Sequence, residues 1–187
     1  QAEIDAICEL ADFWRFNVHF LAKMHAEQPI SPAGVWNRAD LRPLEGFVLA
    51  ITPFNFLSIA ANLPTAPVIC GNVAIWKPGT TSLLGAWHLY ELLRAAGLPD
   101  GVLGFVPGES REQARACLES PHLSGIHFTG STPVFRSLWR TVAERLDSYR
   151  AFPRLVGETG GKDFILAHPS AEVDSLAVAI VRGGFEY

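Results

Sequence analysis

The sequence predicts an α/β fold in which helices cover both faces of a doubly wound parallel sheet. Short apolar segments with the length of buried strands recur along the chain. Segments of about 10–15 residues with helical spacing separate them, and the connections between the two are short. Strands that alternate with helices in this way favour parallel pairing through crossover helices. With 187 residues, the chain has the length of one such domain or of most of one.

Residues 1–27 predict one long helix, because apolar residues recur at three- and four-residue spacing in two stripes. Two stripes indicate a helix that is covered on two sides. The stripes consist of Ile4, Ile7, Cys8, Ala11, Trp14, Val18 and Leu21, and of Leu10, Phe13, Phe20 and Met24. Residues 28–45 follow with prolines, a glycine and short extended pieces, which is typical of a projecting hairpin or a linker.

Residues 46–187 predict the alternating part of the fold. Gly97 and Pro99 mark the end of its second helix, and Thr80, Thr81 and Ser82 supply candidate N-cap oxygens at the start of that helix. The strands are predicted at 46–52, 72–76, 102–106, 125–128, 154–157 and 164–167. The helices are predicted at 57–69, 80–96, 111–118 and 132–146, and from 171 onward.

Charge and composition exclude several classes of protein. The 15 basic and 19 acidic side chains give a net charge of −4 without a lysine or arginine cluster, so nucleic acid is not an expected partner. Charged residues make up only 18% of the chain, which predicts that part of its surface meets another protein segment. The apolar stretch at 46–76 is interrupted by prolines and asparagines, so no membrane span is predicted.

Cysteine and histidine spacing predicts neither a disulfide framework nor a metal site. Cys8, Cys70 and Cys117 lie far apart and form no C-x-x-C pair, which fits a reducing compartment. The six histidines show no ligand spacing.

Polar segments follow four of the predicted strands, and ligands of open parallel sheets bind at the carboxyl ends of the strands. These segments are T-P-F-N-F at 52–56, K-P-G-T at 77–80, F-T-G-S-T at 128–132 and G-E-T-G-G-K at 157–162. Gly130 and Ser131 open a helix, so the backbone there could approach a phosphate, although an ordinary N-cap shows the same pattern. Lys77 could contact a ribose or phosphate, or it could be a solvated charge.

Asn55 and Glu158 are candidates for catalysis. The Asn55 amide could donate to a developing oxyanion, although an asparagine after Pro53 also suits a simple turn. Glu158 lies among glycines and could act as a general base, or it could be a surface acid beside a loop. A Walker A phosphate loop is excluded, because Val156 and Asp163 stand where glycine and serine or threonine are required.

Taken together and in this order, P-F-N-F, W-K-P, F-T-G-S and G-E-T-G-G-K resemble the aldehyde dehydrogenase superfamily. The resemblance is greatest to its Δ1-pyrroline-5-carboxylate dehydrogenase branch, which oxidises glutamate-γ-semialdehyde in proline breakdown. F-N-F at 54–56, F-P-R-L at 152–155 and F-E-Y at 185–187 support that branch. The resemblance implies a Rossmann-like cofactor-binding domain over residues 46–187 that runs into the start of a truncated catalytic domain.

The same resemblance implies roles for individual residues. Asn55 would stabilise the oxyanion, Glu158 would activate water for thioester hydrolysis, and Lys77 would contact the adenosine ribose. The remaining cofactor contacts would be Thr52, Gly130, Ser131, Thr132, Pro133 and Val134. Phe56 and Glu9 would border the aldehyde pocket.

The implied cofactor is NAD. NADP stays open, because Thr80 stands where many NAD-using members carry a glutamate that holds the ribose hydroxyls. Phe135 stands where many members carry a second glycine. Residues 28–45 would be an oligomerisation element, so the resemblance implies a homo-oligomer, at least a dimer. It would work in the cytoplasm of a bacterium or in the mitochondrial matrix of a eukaryote.

By the same resemblance, a catalytic cysteine follows a few residues after Tyr187, and none of the three cysteines present matches its motif. We therefore expect the 187-residue chain alone to be inactive. A non-catalytic nucleotide-binding or interaction module derived from such an enzyme is the alternative. A short-chain dehydrogenase does not fit, because neither Tyr90 nor Tyr149 is followed by lysine four residues later.

Overall fold

Five parallel strands form one sheet in the computed structural model, which describes residues 3–108, 110–161 and 163–185. The strands are β1 (Phe47–Ile51), β2 (Val73–Lys77), β3 (Leu103–Phe105), β4 (Leu123–Thr129) and β5 (Arg154–Glu158). Their order across the sheet is β3-β2-β1-β4-β5. The chain steps outward from β1 to β3 and then returns to the other side of β1. This confirms the predicted doubly wound α/β fold and puts its topological switch point between β1 and β4.

The helices cover both faces of this sheet. Those on the sheet are α1 (Leu10–Ala26), which continues a π-helical turn at Ile4–Glu9, then α2 (Leu57–Ile69), α3 (Leu83–Ala95), α4 (Ser110–Glu119) and α5 (Thr132–Glu144). The last helix, α6 (Val173–Phe185), has no buried residue in the described structure. One face packs against α1, α2 and α3 through Leu10, Ala60, Ala61, Ala74, Trp76, Ala86 and Leu103. The other face packs against α4 and α5 through Leu49, Leu118, Leu123, Ile126, Phe128, Leu138, Val142 and Tyr149.

Strand register brings the polar strand ends to one edge of the sheet. Ile51 pairs with Lys77 across β1 and β2, and Thr129 pairs with Glu158 across β4 and β5. The strands therefore end almost level, and the segments that follow β1, β2, β4 and β5 emerge side by side. This arrangement builds the candidate site.

The expectation that the first helix is covered on two sides is wrong for this chain. Leu10 is buried and Trp14 donates from Nε1 to Thr65 Oγ1 of α2 at 2.9 Å. Other apolar residues from both stripes are open to solvent, and Val18, Phe20 and Met24 are each more than half exposed. The structure offers α1 a partner on one side, which is α2.

Residues 28–45 fold back on themselves without a strand ladder. Gln28 Oε1 accepts from the Ala39 N–H at 2.9 Å, and Ser31 Oγ accepts from the Asn37 N–H at 2.9 Å. Asn37 Nδ2 donates to the Ile30 carbonyl at 2.9 Å. Residues 28–45 therefore form a loop that side-chain hydrogen bonds close, and Trp36 near its tip is 78% exposed.

Two further local predictions are wrong. Residues 164–167 form no strand, and Leu166 is 90% exposed, because an apolar run without a neighbouring strand has no ladder to join. The three residues Thr80–Ser82 form a 3₁₀ turn before α3, and none of them caps it; Ser82 Oγ donates to the Gly79 carbonyl at 3.2 Å instead.

No helix within residues 3–108, 110–161 and 163–185 is both long and apolar enough to cross a membrane.

Candidate active site

A cleft of about 660 Å³ opens at the carboxyl edge of the sheet, at the switch point between β1 and β4. Its walls come from the segments after β1, β4 and β5, which lie far apart in sequence. Seven of the sequence-predicted site residues line it: Thr52, Asn55, Phe56, Gly130, Ser131, Val134 and Glu158. The fold therefore brings the two catalytic candidates and part of the predicted cofactor contacts together in one space.

Thr52 joins the ends of β1 and β2. Its side chain is buried, and its Oγ1 accepts a hydrogen bond from Trp76 Nε1 at 3.0 Å. Its backbone N–H donates to the Lys77 carbonyl at 3.2 Å. Because both contacts are made from the cleft wall, Thr52 fixes the position of that wall as well as lining it.

Asn55 and Phe56 form the turn between β1 and α2. Phe56 is the N-cap of α2 with extended backbone, and its carbonyl accepts the Ala60 N–H at 2.9 Å. Asn55 precedes it and is exposed toward solvent in this chain. The turn thus presents an amide on the wall of the cleft, which is compatible with the proposed oxyanion donor.

Lys77 is not the solvated charge that its sequence position allowed. Its side chain is only 6% exposed, and burial lowers the pKa of its ammonium group. Nζ donates to the Pro78 carbonyl at 3.2 Å. A buried ammonium with one carbonyl partner has donors left for ligand oxygens, because lysine carries three N–H donors.

The start of α5 is open to an anion. Ser131 is the N-cap with extended backbone, and its side chain makes no capping hydrogen bond. Thr132 and Pro133 begin the helix, and the first-turn N–H groups of a helix favour negative charge. The Gly130 N–H is already engaged, since it donates to the Glu158 carbonyl at 3.1 Å.

Glu158 ends the edge strand β5, and its side chain is exposed on the cleft wall. Glu9 lies at the base of α1, and its Oε2 accepts a hydrogen bond from Ser58 Oγ at 3.1 Å, two residues after Phe56. Glu9 is not one of the residues that the structure shows lining the cleft. Its predicted place beside the aldehyde stays a prediction.

A second groove, of about 960 Å³, lies between α4 and α5 beside the cleft, and Ile51 and Val134 line both. Lys77 lies at its sheet end together with Pro133. Sequence reasoning missed its helix-borne walls, among them Ala114, Leu118, Ser137, Leu138 and Thr141. No motif could have indicated them, since they are scattered helix residues that only packing brings together.

No cysteine lines the cleft in the part of the chain that the structure describes. Cys8 and Cys70 are exposed elsewhere, and burial raises the pKa of the half-buried Cys117 thiol in α4. Across the described ranges, no group of three histidine, cysteine or acidic side chains could hold a metal ion. Lys162, Glu186 and Tyr187 of the quoted motifs lie outside the described residues.

Relatives named delta-1-pyrroline-5-carboxylate dehydrogenase match the whole chain. A probable delta-1-pyrroline-5-carboxylate dehydrogenase of Schizosaccharomyces pombe is 52% identical over 190 residues, which cover 100% of this chain and 35% of that protein. The mitochondrial delta-1-pyrroline-5-carboxylate dehydrogenase of Mus musculus is 50% identical over 187 residues, 100% of this chain and 33% of that protein. The chain thus spans about a third of the length of the relatives it matches.

Solved structures agree with these relatives. The Delta-pyrroline-5-carboxylate dehydrogenase from Mycobacterium tuberculosis, bound with NAD, superposes with a TM-score of 0.97 at 57% identity and matches 100% of this chain and 35% of that one. A mutant 1-pyrroline-5-carboxylate dehydrogenase from Thermus thermophilus superposes with a TM-score of 0.89 at 28% identity, over 97% of this chain and 36% of that one. The family model described as "Aldehyde dehydrogenase family" matches residues 1–187. The resemblance drawn from four strand-end motifs is therefore confirmed, and the chain belongs to the aldehyde dehydrogenase family.

Proposed function

We propose that this chain is the cofactor-binding part of an NAD-dependent aldehyde dehydrogenase that oxidises glutamate-γ-semialdehyde to glutamate. The observation that carries the proposal is the cleft that Asn55, Glu158 and the start of α5 line, together with the groove beside it that the buried Lys77 lines. Relatives named delta-1-pyrroline-5-carboxylate dehydrogenase at about half identity support the choice of substrate.

The residues present fit a dinucleotide. Its phosphates need backbone N–H donors, and the first turn of α5 supplies them at Thr132 and Val134, because Pro133 has no N–H and the Phe135 N–H donates to the Ser131 carbonyl. A ribose needs a hydrogen-bond donor at a strand end, which Lys77 provides from a desolvated position. The groove between α4 and α5 offers apolar side chains such as Leu118 and Leu138 to a base. NAD would be held by Thr52, Lys77, Gly130, Ser131, Thr132, Pro133 and Val134.

Bound NAD supplies the hydride acceptor for aldehyde oxidation. The chain's own residues prepare and complete that chemistry. Asn55 donates its amide N–H to the oxygen of the aldehyde as negative charge develops there, when a cysteine thiolate from another part of the polypeptide attacks the carbonyl carbon. Phe56 borders the aldehyde on the same wall.

Glu158 serves the hydrolytic step. Its carboxylate takes a proton from water, and the resulting hydroxide attacks the thioester carbon and releases the carboxylic acid and the cysteine thiolate. An exposed position at the cleft mouth suits this role, because the base must reach water.

The choice of NAD over NADP rests on the NAD-bound relative, since Thr80 offers no carboxylate to the ribose hydroxyls. We further propose that residues 28–45 contact another subunit, because this loop exposes Ile30 and Trp36. Fungal and mammalian relatives are named as mitochondrial, and we propose the mitochondrial matrix for a eukaryotic source and the cytoplasm for a bacterial one.

Assay of the complete polypeptide that carries this chain tests the proposal. We expect NAD reduction to depend on glutamate-γ-semialdehyde and to exceed one turnover per subunit, and we expect binding of NAD to give heat in a calorimetric titration. The 187-residue chain alone should reduce no NAD. NAD binding without any aldehyde oxidation by the complete polypeptide would favour a non-catalytic nucleotide-binding module instead.

A further inference from the structure

The rings of Phe128 and Phe135 lie against two glycines at the ends of β4 and β5. They stack with centroids 5.5 Å apart and planes inclined by 10°. A Cβ built on Gly157 would overlap Cζ, Cε1 and Cε2 of the Phe135 ring. A Cβ built on Gly130 would lie 2.7 Å from Cζ of Phe128, which is closer than real Cβ atoms approach. Each glycine thus leaves the space that one ring fills.

These contacts lie next to the backbone of Glu158 and restrict its position. Gly157 precedes it directly, and the Glu158 carbonyl accepts the Gly130 N–H at 3.1 Å. β5 is an edge strand whose one strand neighbour in the described structure is β4. Glu158 is therefore held by a hydrogen bond from the β4 side and by an aromatic ring pressed on the residue before it.

Phe135 packs on the edge of the core without being buried in it. Leu138 and Val142 are the residues of α5 that are buried in the core, whereas Phe135 is only half-buried at the cleft end of the helix. The ring connects the start of α5, where the cofactor phosphates would bind, with the strand that carries the base.

We propose that Phe135 is a positioning residue that holds Glu158 at a fixed place relative to the start of α5. The proposal rests on the proposed function, which makes Glu158 the base. Loss of the flat ring leaves a gap over Gly157, so β5 shifts toward α5 or moves more freely, and the carboxylate no longer directs water at one point. A misplacement of about 1 Å costs on the order of 100-fold in rate for a group that must act in a defined geometry.

The test compares Phe135→Leu, which keeps an apolar side chain but removes the ring, with Phe135→Tyr, which keeps the ring. Trp139→Leu is the matched control, because Trp139 lies on the same helix and touches the edge of Phe135 at a centroid distance of 6.4 Å. Each variant is made in the complete polypeptide. The measurements are kcat, the KM for NAD, the size of the first-turnover burst of NADH, and hydrogen exchange of the Gly130 amide.

We expect Phe135→Leu to lower kcat about 10- to 100-fold while the burst and the KM for NAD stay within about threefold. Its Gly130 amide should exchange faster, since that N–H reports the bond to Glu158 without any catalysis. Phe135→Tyr and Trp139→Leu should match the wild type in all four measurements. Gly157→Ala adds a methyl group where the Phe135 ring lies, so this variant should also lower kcat while the burst is retained. If Phe135→Leu does not fold, Gly157→Ala takes its place in the test.

Wild-type kcat and Gly130 exchange in Phe135→Leu would overturn the proposal. An equal loss of the burst and of kcat would also overturn the proposal. The ring would then affect the steps before thioester hydrolysis as well, and not the position of Glu158 in particular. A wild-type protein that oxidises no aldehyde overturns the proposed function instead, and this result is distinct because it requires no variant.

Discussion

His127 should make folding stability depend on pH through one hydrogen bond to helix α2. Pro67 has no N–H, so the Leu63 carbonyl four residues earlier lacks its helical donor. His127 on β4 replaces it, with Nδ1 2.8 Å from the Leu63 oxygen. The imidazole must carry its proton on Nδ1 to donate there, and burial lowers the pKa of His127.

Removal of the donor leaves a buried carbonyl without a partner, which costs about 1–3 kcal/mol. We therefore expect His127→Leu to lower the free energy of unfolding by that amount at pH 8. Pro67→Ala restores a helical N–H for the Leu63 carbonyl, so His127→Leu should cost much less in that background. His127→Gln keeps an N–H donor and should lie between the wild type and His127→Leu.

The sign of the pH dependence follows from the lowered pKa. As pH falls below the ordinary histidine value of 6.5, the unfolded chain takes up a proton before folded His127 does. The contribution of neutral His127 to the free energy of unfolding is therefore fully present above pH 6.5. It is lost as pH falls from there through the lowered pKa of the folded state. His127→Gln should remove this part of the pH dependence.

Urea unfolding of the complete polypeptide, followed by circular dichroism between pH 5 and 8, measures these effects. Equal destabilisation by His127→Leu in the wild-type and Pro67→Ala backgrounds would refute the proposed exchange of donors. A His127→Gln protein that keeps the full wild-type pH dependence would refute the assignment to His127.

Four further predictions concern the cleft and the groove beside it. Thr52→Val should destabilise the fold by about 1–3 kcal/mol in urea unfolding because the buried Trp76 N–H loses its acceptor, while Thr52→Ser should not; equal effects would contradict this. Lys77→Met should weaken NAD binding in calorimetry. Because burial lowers the Lys77 pKa, wild-type affinity should begin to fall with rising pH below the ordinary lysine value of 10.5, and a fall centred on 10.5 would contradict this. Asn55→Ala should slow the NADH burst by about 10²–10³-fold in stopped flow, and a normal burst rate would exclude it as the oxyanion donor. Glu158→Gln should keep the burst while kcat falls by about 10²–10⁴-fold, and normal turnover would exclude it as the base.

The sequence alone determined the local elements and the order of the motifs. Apolar segments separated by helical spacing predicted five of the strands to within two or three residues, because a strand buried between helices must be apolar along its length. The four strand-end motifs were sufficient for the family resemblance, since their residue types and order are properties of the chain itself.

Only the tertiary structure decided what those motifs do together. The register of Ile51 with Lys77 and of Thr129 with Glu158 brings their strand ends level, and no local pattern encodes it. The same is true of the burial of Lys77 and of the ring of Phe135 over Gly157. An apolar run becomes a strand only when a neighbouring strand accepts its hydrogen bonds, which is why 164–167 did not. Pairing and burial depend on residues distant in sequence, so they become visible only once the chain has folded.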